Sequence, residues 1–470
     1  MQLDMLVRNC EMYLSDRTVL MDIGIAQERI VCVGENLDMA AHRIFDAEGR
    51  PVFPGGVDAH VHTATQLGGY LTQDTFFEST KAAARGGTTT IIDFCIPEQG
   101  QGPDLIEMMD ERIAAISRDS VVDVALHAGL SRLDSGDIER QIREAMRRGI
   151  TSFKMFSAYP GSVMINYGEI FQAMRIIAQQ GGVAVIHAEH QDLINMATQG
   201  KNLAVASSHR DSRPVVSESV AVSTLLALVE ATQCPTYFVH ISSQEALAQI
   251  HQRKVSGLRV GAETCPHYLT LDGSLYDTMD GALYVCSPPL RDQLERTALW
   301  NGVAGGSVDL ISSDHCCFGR SQKFRHRDDF RRIANGLPGV ETRMPLIYDQ
   351  GVRTGIISAY QFQQVTATGP AQWLGLYPQK GVLQPGSDAD VVIWDPDRSF
   401  PTATTTMATD FLPYSHLALR GMPVLVIARG RVVWNDEDFV GRRGQGRFVR
   451  RRPVRQQDKS LVKSVGEGVL

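Results

Sequence analysis

Two histidines, His60 and His62, stand one residue apart in the stretch PVFPGGVDAHVHT that begins at Pro51. Alternate side chains of a strand share a face, so both imidazoles converge on one point, and a metal ion is what such a pair holds well. Four more groups further along can join them: Lys154 in SFKMF, His187 in AVIHAE, His240 in TYFVHIS and Asp314 in VDLISSDH. Imidazoles with a carboxylate suit a borderline ion such as zinc. Lys154 is the odd member, because an ammonium repels a cation. Flanked by Phe153, Met155 and Phe156, it is expected to lose hydration, which lowers a lysine's pKa and leaves an amine able to add carbon dioxide. The resulting carbamate is an anionic, bidentate ligand able to bridge two metals. A buried lysine paired with an acid is the plainer alternative.

Groups so far apart in sequence need a scaffold that brings them to one rim. Eight short apolar runs, from PVFPGGVDAH through TTTIIDFC, VDVALHAG, SFKMF, AVIHAE, TYFVHIS and RVGAETCPHYL to VDLISSDH, alternate with amphipathic segments such as DIERQIREAMRRG. Glycines close several of these segments, as helix C-termini require. The pattern, over roughly 250 to 300 residues, predicts an α/β fold, a TIM-like (β/α)8 barrel. An open doubly wound sheet is the rival, but no G-x-G-x-x-G follows the early strands. Functional groups of a barrel lie where strands end at its C-terminal face, and all six residues fall at such ends. Short strand-like pieces at both termini predict one small β-sandwich. The expected division is 1–52 with 380–450 for the sandwich, 53–379 for the barrel and 451–470 for a basic tail. The stretch GRRGQGRFVRRRPVRQQDKS is expected to be a surface or subunit-contact arm.

Composition narrows the partners. The 470 residues are 43% hydrophobic and 21% charged with a net charge of −7, which argues against nucleic acid as a partner. No stretch approaches the roughly 20 apolar residues of a membrane span, and MQLDMLVRNC carries no signal pattern, so no membrane partner is expected. The eight scattered cysteines form no CxxC pair. They predict reduced thiols and a cytoplasmic location.

The motifs PGGVDAHVH, GGTTTIIDF, SFKMFSAY, VIHAEH, FVHISS, AETCPHYL, CSPPLR, SSDHC and NGLPGVETRMPL run in order from about residue 52 to 350. With GSDADVVIWDP and GQGRFVRRRP beyond them, most of the chain resembles the amidohydrolase superfamily, and within it the dihydropyrimidinases and D-hydantoinases. The resemblance implies a hydrolase of cyclic amides that opens dihydropyrimidines or 5-substituted hydantoins to N-carbamoyl amino acids. It implies two divalent metal ions, zinc by default with manganese as the alternative, held by His60, His62, carbamylated Lys154, His187, His240 and Asp314. A metal-bridging hydroxide would attack the ring carbonyl, with Asp314 as proton shuttle. Tyr159 would donate a hydrogen bond to the oxyanion, and the backbone of Ser287 and Asn335 would read the –NH–CO– edge of the ring. Pro288 and Pro289 would stiffen the turn that presents Ser287. A homotetramer is the implied assembly.

The chain departs from the family pattern in three loops: TATQLGGYLTQD after His62, CIPEQGQGPD after the second strand, and PGSVMINYG after Tyr159. These are expected to shape the pocket for the exocyclic group. His190 stands where relatives often have asparagine and is expected just behind the ligands or at the rim, not as a ligand. His127, His267 and His315 stay unassigned, with His315 structural. His42, His209, His251, His326 and His416 are expected in packing or at the surface. Allantoinase is one rival, though its loop after the pair usually carries an acid–proline stretch where this chain has TATQ. Dihydroorotase is another, with an arginine where this chain has Ala64. A non-catalytic scaffold relative would have lost some of the six ligands, all of which are present.

Overall fold

The computed structural model describes residues 2–99, 103–131, 137–436 and 438–454. At its centre runs a parallel sheet whose strands follow one another in chain order: Gly56–His62, Thr88–Cys95, Asp123–Gly129, Ser152–Phe156, Val183–His187, Thr236–Phe238 and Val260–Thr264. The eighth strand is split. Leu310–Ile311 pairs with the seventh strand and His315–Cys316 with the first, so the two ends of the sheet meet and a (β/α)8 barrel closes. The break falls at Ser312 to Asp314, and Asp314 itself adopts a left-handed backbone with φ 47°.

Every residue of the first five of these strands is buried, as strands covered on both faces by side chains and helices must be. The helices between them start and stop on local signals. Asn166 and Glu169 form a reciprocal cap before Tyr167–Gln180, and Gly181 ends that helix at φ 73°, where a side chain would be strained. The helical stretch Ser207–Thr232 is long and apolar enough to cross a membrane by length and composition, against the expectation that no stretch approaches this. It packs on the barrel, burying Ala221, Val222, Leu225, Leu226 and Val229.

Strands from both termini build the sandwich. One sheet runs Arg29–Gly34, Thr18–Ala26, Leu3–Tyr13, Ala41–Asp46; the other runs Asp438–Phe439, Arg431–Asn435, Leu419–Ala428, Val391–Phe400, Val52–Pro54. Val7, Ile23 and Ile25 of the first meet Val391, Ile393 and Ile427 of the second in one core. Buried charges fasten the sandwich to the start of the third barrel strand. Lys380 lies 2.7 Å from Asp123 and 2.9 Å from Asp388 and Asp390, and Arg429 also reaches Asp123 at 2.9 Å. A buried cation is tolerated when it is this well paired.

The basic stretch from Gly441 runs over the surface of the barrel in its described part and is anchored to it at a few buried positions. Val449 receives an amide bond pattern like a neighbouring strand, donating to the Val124 carbonyl at 2.8 Å. Arg451, 4% exposed, donates to Ser152 Oγ at 2.8 Å and to the Leu126 carbonyl. Arg447 pairs with Glu28. The segment therefore packs against the strands of the barrel; the remainder of the expected tail, 455–470, lies outside the described residues.

Candidate active site

The barrel's register carries the six residues to one level. Lys154 pairs across to Val185 and Phe156 to His187, while His62 ends the first strand opposite Cys316. All six line one cavity of about 550 Å3, together with Tyr159, Ser287 and Asn335. His60 and His62 present Nε2 to the same carboxylate oxygen of Asp314, at 3.0 and 3.5 Å. Across the cavity His187 Nδ1 faces His240 Nε2 at 2.9 Å, and the His60 and His240 ring centroids lie 5.5 Å apart.

Two of the imidazoles are held from behind by carboxylates. His60 Nδ1 meets Glu263 Oε1 at 2.7 Å, and His187 Nε2 meets Glu189 Oε2 at 2.9 Å. That is how a metal-ligating histidine is commonly oriented: its far nitrogen donates to an acid, which fixes the tautomer and raises basicity. Asp58, one pleat below His60 on the same strand, accepts from the backbone of His60 at 3.3 Å and of Ser313 at 3.0 Å. Its other oxygen lies 3.4 Å from the buried Arg343. Asp58 thereby ties the histidine strand to the split eighth strand.

Backbone strain collects here. Tyr159, His240 and Asp314 all adopt left-handed conformations, with φ of 72°, 41° and 47°, each at a cost of order 1–3 kcal/mol for a residue other than glycine. The positions are ones where a side chain must turn from the strand direction into the cavity.

The electrostatics match the donor set. Burial lowers the Lys154 pKa to about 8, against the pull of Asp314 and Glu263. Its Nζ lies 4.8 and 5.1 Å from the ring centroids of Phe156 and Phe94, with no acid paired to it among the described residues, so the plainer lysine–acid pair is absent there. Burial opposes the charge on His60, yet Asp314 and Glu263 outweigh it and lift the pKa to about 9. Asp314 resists burial through His60 and His62 and stays well below the usual carboxylate range. Burial lowers the pKa of His62 to about 4 and lowers those of His187 and His240 as well, which keeps these imidazoles neutral and able to donate a lone pair. His60, His62 and Asp314 each bring one ligand atom to within 4.8 Å of the others, close enough to share one ion. The residues present therefore fit a pair of divalent cations.

Other groups that complete the cavity were not legible beforehand. Arg213 stacks over Tyr159, 5.0 Å from the ring centroid, and pairs with Glu189. Gln191 Oε1 accepts from the Tyr159 amide at 3.0 Å. His209, expected in packing or at the surface, is buried, lines the cavity and meets the Cys286 carbonyl at 2.8 Å. The departing loops do contribute wall: Leu67, Gly68 and Tyr70 from a small hairpin, Glu98, and Pro160, Ser162 and Val163. His190 flanks the helix Gln191–Thr198 and does not line the cavity. His127 is structural, bonded to Ser152 Oγ and the Ala59 carbonyl. His315 is too, as expected: its Nε2 meets Asp74 at 2.8 Å and its Nδ1 accepts from the Gly339 amide at 3.1 Å.

Residues 52–433 match the amidohydrolase family. A D-hydantoinase of Ralstonia pickettii is 37% identical over 465 residues, 97% of this chain and all of the relative. A D-hydantoinase of Geobacillus stearothermophilus is 36% identical, covering 92% of this chain and 93% of the relative. The crystal structure of dihydropyrimidinase from Brevibacillus agri superposes with a TM-score of 0.91 at 34% identity, over 96% of this chain and 99% of that one.

Proposed function

This chain belongs to the amidohydrolase family, among its D-hydantoinases and dihydropyrimidinases, and from that premise we propose how its site opens a ring. The protein is a hydrolase of carbon–nitrogen bonds in cyclic amides, acting on dihydropyrimidines or 5-substituted hydantoins. The observation that carries the site assignment is the convergence of His60, His62, Lys154, His187, His240 and Asp314 on one cavity. These six would hold two divalent metal ions, zinc or manganese, with Lys154 carbamylated by carbon dioxide. When bound, such ions supply a water acidic enough to be a nucleophile near neutrality and a Lewis acid for the carbonyl.

The chain's own groups do the rest. Asp314 Oδ accepts the proton released from the attacking water and returns it to the ring nitrogen as the C–N bond breaks, yielding the N-carbamoyl amino acid. Burial raises the Tyr159 pKa to about 12, so its hydroxyl keeps its proton and donates to the oxygen that becomes negative. The main chain of Ser287 and Asn335 pairs with the imide edge. Because backbone groups read only that edge, the exocyclic group is left to the wall formed by the hairpin after His62, Phe156, Ile194 and Phe330. A bare dihydropyrimidine fills a small part of about 550 Å3, which supports a ring with a bulky substituent.

A cytoplasmic tetramer belongs to the same proposal. The eight cysteines are free, and Leu20 and Ile44, each 54% exposed on the N-terminal sheet, are apolar surface that a subunit contact would cover. The test of the site is metal analysis of the purified protein: two ions per chain, with turnover lost on chelation and regained on reloading, is the expected result. Turnover undiminished in metal-free protein contradicts it.

A further inference from the structure

Beside the cavity lies a second group of metal-binding side chains, which shares Asp314 with the first. Cys265, His267 and Asp314 are all buried, and one ligand atom of each lies within 4.8 Å of the others. Neither Cys265 nor His267 lines the cavity. Cys265 directly follows the seventh barrel strand, and His267 stands in the short helix Pro266–Thr270 after it. His267 is 1% exposed, yet neither of its ring nitrogens has a hydrogen-bond partner. Leaving one such atom unsatisfied costs about 1–3 kcal/mol, and native proteins rarely leave both. The contrast with Asp74, His315 and Cys317, also grouped and buried, is instructive. There both imidazole nitrogens are occupied, by Asp74 and by the Gly339 amide, and no ligand is wanting.

We propose that Cys265 and His267, with Asp314 shared from the catalytic cavity, form a further site for a thiophilic divalent ion, and that occupying it switches the hydrolase off. Thiolate, imidazole and carboxylate are the donors that Zn2+ and Cd2+ favour over hard cations. The three ligand atoms lie within 4.8 Å of one another, and drawing them in to the edges of a coordination tetrahedron, roughly 3.3–3.8 Å for these donors, needs side-chain adjustment of about an ångström or less at each. Binding transfers the Cys265 thiol proton to solvent, and the thiolate, His267 and one oxygen of Asp314 donate to the ion. No electron is transferred. With one oxygen engaged by this ion, Asp314 no longer carries the proton between water and ring nitrogen. The site stands on geometry alone; its inhibitory effect rests on the proton-carrying role proposed for Asp314. The two can therefore fail separately.

The test is titration of the protein, already loaded with two zinc ions per chain, with cadmium. Thiolate-to-cadmium absorption in the ultraviolet reports a thiol ligand, which none of the six cavity ligands is, and the cysteine variants assign it to Cys265 among the eight free thiols. The expected result is one such band equivalent per chain, growing as hydrolysis falls and reversed by chelation back to two zinc ions. Cys265→Ser abolishes the band, His267→Asn weakens cadmium binding at least about tenfold, and both variants keep basal hydrolysis without cadmium. Cys316→Ser, at a thiol on the cavity wall, keeps the band. No band in the parent, or an equal band in Cys265→Ser, overturns the site. A band without loss of hydrolysis upholds the site and overturns the switch. A band in a protein that opens no ring upholds the site and counts against the proposed function.

Discussion

Ser287 donates its hydroxyl to the side-chain carbonyl of Asn335 at 3.1 Å, joining the two loops whose backbones are proposed to read the substrate. The same loops are stapled one step deeper. The Val285 carbonyl accepts from the Gly336 amide at 3.0 Å and from the Nζ of Lys323 at 2.7 Å. Burial lowers the Lys323 pKa to about 7, and no acid pairs with it among the described residues. His209 holds the next carbonyl, Cys286, and Tyr268 holds that of Pro288 at 2.6 Å. The imide edge of a substrate would thus meet a cradle fixed before it arrives.

Lys323→Met removes one staple while keeping an apolar stem of similar length. Loss of a buried hydrogen bond of this kind is worth about 1–2 kcal/mol, so kcat/KM is expected to fall roughly tenfold, mostly through KM. Metal content stays at the parent value. Steady-state kinetics beside metal analysis check this; equal loss of metal would make Lys323 a general stability residue instead.

Lys154→Ala is expected to lose metal and turnover together. The drop should exceed the ~10–100-fold that follows loss of a partner orienting a ligand, and short-chain carboxylic acids added to the buffer should restore part of it. Unchanged turnover in this variant sinks the two-ion site.

Glu189→Gln tests that orienting role. Arg213 and His187 overcome burial to hold the Glu189 pKa at about 2, so it is an anion at working pH and a charged acceptor for the His187 N–H. The amide keeps the shape and removes the charge. Metal affinity should fall about 10–100-fold, read by competition with a chromogenic chelator.

His209 carries a pH prediction. Burial, with Arg213 nearby, lowers its pKa to about 3, whereas an unfolded histidine titrates near 6.5. Between these values the unfolded chain binds a proton that the folded chain refuses, so stability rises with pH and is lost as pH falls below about 6.5. The contribution is about 1.4 kcal/mol per pH unit for one full proton. His209→Gln can still donate to Cys286, and its urea midpoint should fall less between pH 6.5 and 5 than the parent's. Parallel profiles would contradict the assignment.

The barrel and its six rim residues were legible because each sits within the last three residues of a strand or just beyond it, and strand order alone sends those ends to one face. The split eighth strand was not. ISSDH contains no glycine or proline to mark a break, and only pairing with both neighbours reveals it. Lys323 and Arg213 read locally as surface charges; tertiary packing buries them against carbonyls and an acid. The arginine-rich stretch from Gly441 lies largely at the surface, as expected, but composition could not show that Arg451 within it finds a buried carbonyl and hydroxyl. Asp58 and Arg343 lay inside recognised motifs, yet their role in fixing the histidine strand depends on a contact spanning most of the barrel.

The most direct test loads the protein with zinc and compares kcat/KM for 5-phenylhydantoin and dihydrouracil by loss of ring absorbance. The account predicts metal-dependent opening of both, with the phenylhydantoin preferred because the cavity holds more than the bare ring. Protein that retains two ions and opens neither ring would contradict it.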